Sequence, residues 1–260
     1  MAALETVVRH ASDWIDWIDR SGLLAPDHAP RVRLPLDVRL EPPLPPGLTL
    51  HHKTGQTVLW RERSGSLLYV LDGDAAAEDL EPPTETAYSV TGTVADLAGR
   101  FLPRRFSLSA GNAAGHAVDL YRSPAGTRFQ AAGGLRLSLA RPDGSPLPWA
   151  LVEVTVTPPV GGPRQFTGQA DARGELNLPL SRLPALTRDA PATSYSATLE
   201  VRAVPGAMAE QTVDPDSAVG VDLRDPFSGT PSPTGSLLVE PGRITRVTSP
   251  AADHLIVEAP

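Results

Sequence analysis

The chain is predicted to be mainly β, one or two sandwich modules behind an amphipathic N-terminal helix. Three observations predict this. Residues 134–205 carry short alternating apolar rows cut by Gly and Pro turns. The 28 prolines and 22 glycines mostly punctuate such rows, and a hydrophobic fraction of 41% is enough for a folded core. Ahead of the rows, residues 4–20 repeat their apolar positions at spacings of four and three instead of two.

In that first segment Leu4, Val8, Ala11, Ile15 and Ile18 form a stripe, widened by Val7 and Trp14, while Glu5, Arg9, Asp13, Asp16 and Asp19 face away. Ser21-Gly22 ends the expected helix. Such a helix either caps the sandwich or docks on another subunit. Its two tryptophans, Trp14 and Trp17, favour docking, because aromatic side chains are enriched at interface centres. An acidic polar face disfavours a membrane surface.

Residues 26–35 read as a connector, and residues 34–40 as an edge strand that tolerates Pro35. The two Pro-Pro pairs of residues 41–47 predict a stiff loop. Residues 48–60 and 67–71 read as strands with Arg63-Ser-Gly65 as a turn, and Lys53-Thr-Gly55 as a strand-end turn. The acidic, alanine-rich residues 72–85 read as a surface loop or a boundary, and strand character resumes over 86–94. Gly99-Arg-Phe-Leu-Pro103 and Gly144-Ser-Pro-Leu-Pro148 share a spacing, which points to a repeated β-turn-β unit. Residues 118–121 and 127–129, split by Pro124-Ala-Gly126, are expected to form a hairpin.

Leu135, Leu137 and Leu139 alternate with Arg136 and Ser138, Asp143-Gly144 makes a turn, and residues 152–156 alternate again, so a second hairpin is expected there. After turn formers at 158–163 come Asp171-Ala-Arg-Gly174 and the alternation at Leu176 and Leu178, and residues 195–204 close the stretch as a strand. Beyond 205 the period fades, leaving strand-like pieces at 237–239, 244–247 and 255–257. These either complete a sheet or, for Leu255, Ile256 and Val257, add to a neighbouring chain's sheet edge.

Gly144-Ser-Pro-Leu-Pro148, the row at 152–156, Thr167, Asp171 and Gly174 together resemble the carboxypeptidase regulatory-like (transthyretin-like) β-sandwich domain over about 134–205. The resemblance implies a scaffolding or display role without catalytic residues. In the turns Asp143-Gly144 and Asp171 to Gly174, glycine supplies a positive φ and aspartate bonds the turn's own amides. The expected organisation is a docking or capping helix over 1–22, a first β module over 31–130, the resembling sandwich over 134–205, and a turn-rich segment over 206–260.

A net charge of −7 argues against a nucleic-acid partner. Arg100, Arg104 and Arg105, interleaved with Phe101 and Phe106, read as a strand whose arginines face solvent or an acidic partner. With no cysteine, disulfides, thiolate metal sites and a cysteine nucleophile are excluded. No membrane span and no signal peptide are read, so synthesis in the cytoplasm is expected, with incorporation into a released particle as a further expectation.

Nucleophile elbows, phosphate loops, zinc helices and dinucleotide fingerprints are all missing from the sequence. His10, His28, His51, His52, His116 and His254 are scattered, and the adjacent pair on a strand points to opposite faces. Asp72-Gly73-Asp74 and Asp214-Pro215-Asp216 read as turns and not as calcium loops. Lys53, the only lysine, leaves residues 134–205 without an internal lysine-asparagine bond.

No catalytic residue, cofactor or metal is therefore expected. The candidate partner-docking residues are Leu4, Val7, Val8, Trp14, Ile15, Trp17, Ile18, Leu255, Ile256 and Val257. The expected function is a non-enzymatic structural or adaptor subunit with other protein subunits as partners, in a phage tail or phage-tail-like contractile injection particle. The alternative is a small-ligand or carbohydrate-binding module, for which exposed Trp60 or Trp149 would speak, and a hydrolase with distant carboxylates is third.

Overall fold

The computed structural model describes residues 12–23, 30–61, 87–129, 131, 133–159, 161–184, 186 and 193–258. Among them the protein is mainly β, with no α-helix.

The N-terminal unit begins with β1 (Ser12–Asp19), after which β2 (Gly22–Leu23) leaves to join the second unit. It continues with β3 (Leu36–Leu40), β4 (Leu48–Lys53), β5 (Gln56–Arg61), β6 (Tyr88–Asp96), β7 (Arg104–Ala110) and β8 (Gly115–Leu120). One sheet runs β4-β5-β1-β8 and the other β3-β6-β7. Ile15, Trp17, Leu59 and Leu120 from the first meet Val38, Val90, Val94 and Phe106 from the second in one core. There the Trp17 and Phe106 rings stand edge to face at 5.5 Å.

The expected N-terminal helix is corrected here, since residues 12–19 are a strand paired antiparallel to β5 and parallel to β8. Its earlier part, with Leu4, Val7 and Val8, lies outside the described residues. The physical reason is Asp13, which sits on the inward face with Ile15 and Trp17 and breaks their apolar alternation. Its buried carboxylate accepts the amides of Gly111 (2.6 Å) and Ala114 (2.9 Å). Trp14 and Ile18 on the outward face then mimic a helical spacing. The hairpin expected from 118–121 and 127–129 is also corrected: β8 pairs with β1, and 127–129 adds no strand.

The second unit holds β9 (Gly134–Ala140), β10 (Leu151–Thr157), β11 (Arg164–Gln169), β12 (Glu175–Pro179), β13 (Tyr195–Ala203), β14 (Val219–Arg224), β15 (Pro231–Ser232), β16 (Gly235–Val239), β17 (Ile244–Val247) and β18 (Leu255–Glu258). Its sheet runs β12-β9-β18-β14-β13-β10-β11-β2, with β15 on β14, β16 on β13 and β17 on β9. β13 shows why this region folds as its pattern says, since Tyr195, Ala197, Leu199, Val201 and Ala203 are buried and the residues between them exposed. Leu135, Leu137, Leu139, Leu176 and Leu178 answer from β9 and β12. Burial of each such leucine contributes about 2 kcal/mol.

Residues 143–147 fold back on β9, Leu147 N–H donating to Leu139 O at 3.0 Å, but the expected hairpin of β9 with β10 does not form. The edges of β9 are taken by β12 on one side and by β17 and β18 on the other. The chain therefore turns at Trp149 (φ +61°) and β10 pairs with β11 and β13.

The segment after residue 205 completes the existing sheet and is not a separate piece. Val221, Leu223, Leu237, Val239, Val247, Leu255 and Val257 all enter the second unit's core. β14 left little trace in the sequence because Gly220, Asp222 and Arg224 leave only Val221 and Leu223 as its inward row.

Candidate functional site

The two units meet along a seam made by the 204–218 connection between β13 and β14. Arg105 N–H donates to Val213 O at 2.8 Å, and Leu102, Trp149, Ala207 and Val213 close an apolar patch around it. Tyr121, Leu151 and Ala218 close a second one. From the other end, β2 extends the second unit's sheet by pairing Leu23 with Phe166 and Gly22 with Thr167.

Arg104 locks this seam. It shares the inward phase of β7 with Phe106 and Ala110, and it is 2% exposed. Its Nε donates to Arg105 O and its Nη1 to Asp119 O at 2.8 Å. Nη2 donates to Asp214 Oδ1 at 2.7 Å and Asp216 Oδ2 at 2.8 Å. Both carboxylates are presented by a short 3-10 turn, Pro215–Ser217, which Asp214 caps through the Asp216 amide and Pro215 starts with its fixed φ. A planar guanidinium fits this multi-acceptor site, and a lysine ammonium would not. The expectation that Arg104 faces solvent or an acidic partner is thus corrected, because its acidic partners belong to the same chain. Arg105 does face outward and pairs with Glu41 at 2.6 Å.

Beside the clamp lies a cleft of about 510 Å³. Arg20, Asp119 and Tyr121 line it from the first unit, and Glu153, Thr167 and Arg202 from the second. Arg20 Nε donates to Asp119 Oδ1 at 2.9 Å. Burial pushes the Asp119 carboxyl above its ordinary range, although Arg20 and Arg104 pull it down. Burial, with the Asp119 charge second, raises the Tyr121 phenol to about 12, so it stays neutral and can donate a hydrogen bond. Such groups can hold a ligand by charge and hydrogen bonds, and the raised phenol is a poor base at neutral pH.

Of the residues singled out for docking, Ile15 and Trp17 are buried in the first core, where Trp17 Nε1 donates to Thr57 Oγ1 at 3.0 Å. Leu255 and Val257 are fully buried in the second core, while Trp14, Ile18 and Ile256 are half-buried. Trp149 is 6% exposed and its indole donates to Met208 O, so it presents no face to a ligand. Gly144 and Gly174 take φ of +83° and +77°. Asp143 Oδ1 accepts from Ser145 and Asp171 Oδ1 from Arg173 and Glu175. Bonds from the Ser145 hydroxyl and amide hold the Asp143 carboxyl below its usual range.

Asp72-Gly73-Asp74 lies outside the described residues, whereas Asp214 and Asp216 serve the arginine clamp. Among the described residues no group of three His, Cys, Asp or Glu side chains is placed to hold a metal ion, and no helix is long and apolar enough to cross a membrane. Sequence reasoning missed the clamp role of Arg104 and the place of Thr167, Glu153 and Arg202 in the cleft. For Arg104 the signal was its phase with Phe106; for the cleft residues no local pattern pointed to a shared site, because strand pairing brings them together. No protein-family model matches the chain, and a search of the curated proteins also returns no match.

Proposed function

We propose that the protein is a non-catalytic structural or adaptor subunit, an assembly component of a phage tail or phage-tail-like contractile injection particle, in which two β units act as one stiff body. The observation that carries this reading is the buried Arg104 clamp. A guanidinium that joins β7, the end of β8 and the Asp214–Asp216 turn resists relative motion of the units, as a part that transmits load requires. In the same proposal, residues 134–205 are the larger part of a carboxypeptidase regulatory-like sandwich, extended by strands β14 to β18, with Asp171 and Gly174 forming its turn. The tandem β units and the lack of cysteine suit assembly in a reducing cytoplasm.

Native isolation of the tagged full chain from its source cell, followed by mass spectrometry and electron microscopy, tests this. The chain is expected in a large particle at fixed stoichiometry with other subunits. Recovery as a lone chain without a stoichiometric partner would contradict the reading.

A further inference from the structure

The second unit's outer face within the seam cleft carries two unresolved costs. Thr167 is 8% exposed, yet among the described residues its Oγ1 has no hydrogen-bond partner. A buried hydroxyl is rarely left so, because it loses its water without replacement. On the same face Glu153 lies directly opposite Thr167 on β11 and directly opposite Glu200 on β13. Two carboxylates at facing positions repel.

Two residues further along β13, about 7 Å by strand geometry, stands Arg202. It faces Leu151 in the ladder and spends Nη2 on Ala218 O at 2.8 Å. Among the described residues neither Glu153 nor Arg202 takes part in an ion pair, although both line the cleft. Arg20, the cleft's other cation, is already paired with Asp119. The available groups on this face are thus a hydroxyl on β11, an anion opposite it on β10 and, diagonally across from that anion on β13, a cation.

We propose that this cleft binds a small zwitterion of the amino-acid class, its ammonium on Glu153 and its carboxylate on Arg202, with Thr167 Oγ1 bonded to the ligand. The ammonium offsets the Glu153–Glu200 repulsion. The carboxylate takes the donors that Arg202 has left, for which a guanidinium fork is well shaped. The hydroxyl gains the partner that it lacks among the described residues. The site is independent of the adaptor reading, which stands or falls on isolation of the particle.

Calorimetric titration of the full chain with glycine, L-alanine, acetate, ammonium and glucose tests the proposal. Glycine and alanine are expected to bind at least about tenfold more tightly than acetate or ammonium, a difference that two simultaneous charge contacts readily supply. Thr167→Val, Glu153→Gln and Arg202→Gln are each expected to weaken that binding about fivefold or more. Thr167→Val matches the side chain's volume and removes the orphan hydroxyl, so its melting temperature is expected to equal or exceed the parent's. Glu153→Gln, at a half-buried outer position, gives an independent reading if Thr167→Val folds poorly. No heat with either zwitterion, equal affinity in parent and variants, or preferential binding of glucose would overturn the assignment.

Discussion

The turns Asp96-Leu-Ala-Gly99 and Asp171-Ala-Arg-Gly174, one in each unit, are the same chemical device in different surroundings. Both glycines are left-handed, at +67° and +77°, and each N–H donates to the carbonyl of the aspartate three residues back, at 2.9 and 3.0 Å. Each carboxylate accepts amides two and four residues on, from Ala98 and Arg100 in one turn and from Arg173 and Glu175 in the other. Around Gly99 there is open space, and Leu97 is 81% exposed. At Gly174 an added Cβ would stand 2.3 Å from Leu139 O and 3.2 Å from Leu147 O. After the first turn β7 folds back on β6; after the second, β12 pairs with β9. Local sequence thus decides the hydrogen bonds of the turn, and packing decides its cost and where the next strand goes.

The largest expected effect is at Gly174. Gly174→Val adds a β-branched residue at positive φ to a backbone clash, together about 4 kcal/mol, read as loss of unfolding free energy in urea. Parity with the parent would show that Leu139 and Leu147 yield more easily than their close approach implies.

Arg104→Gln tests whether the units differ only in their turns or also depend on each other. The loss expected is about 3 kcal/mol. It falls at the lower end for a buried ion pair because the Asp214 and Asp216 side chains, 27% and 73% exposed, regain water.

Asp225 is a third aspartate turn, and its effect is smaller. Burial pushes its carboxyl up, but the amides of Ser228, Ser236 and Phe227 and the Ser228 hydroxyl hold it below the usual carboxylate range. A lowered value means that ionised Asp225 stabilises the fold at pH above its unfolded value of about 3.9, and that this is lost as pH falls through the lower folded value. Asp225→Asn is expected to cost about 1–2 kcal/mol at neutral pH, with a shallower loss of stability than the parent below about pH 4. An unchanged acid limb would remove Asp225 from the account.

Gly99→Ala closes the series at about 1 kcal/mol, the cost of a left-handed alanine with nothing to strike. A loss equal to that of Gly174→Val would erase the contrast between the two turns.

The same contrast governs what was legible in the sequence. β13 and β9 could be read because one face of each is built from hydrophobic residues without interruption by a charge, as at Leu135, Leu137 and Leu139. β1 could not, because Asp13 occupies an inward position for the sake of amides at Gly111 and Ala114, about a hundred residues away. Arg104 hid in the same manner, a charge in the phase of a core strand whose acceptors come from a later turn. The expected repeat aligned Gly99 with Gly144 by spacing, whereas the hydrogen bonds align it with Gly174. At the cleft, Thr167, Glu153 and Arg202 are brought together only by strand pairing, which no local window contains.

Hydrogen exchange of the full chain, comparing the most protected amides of β6 and β13, tests most directly that the two units behave as one body. In the parent the two sets are expected to open with one common free energy, and in Arg104→Gln to separate, because the clamp that couples the cores is gone. Independent opening of β6 and β13 in the parent would contradict the account.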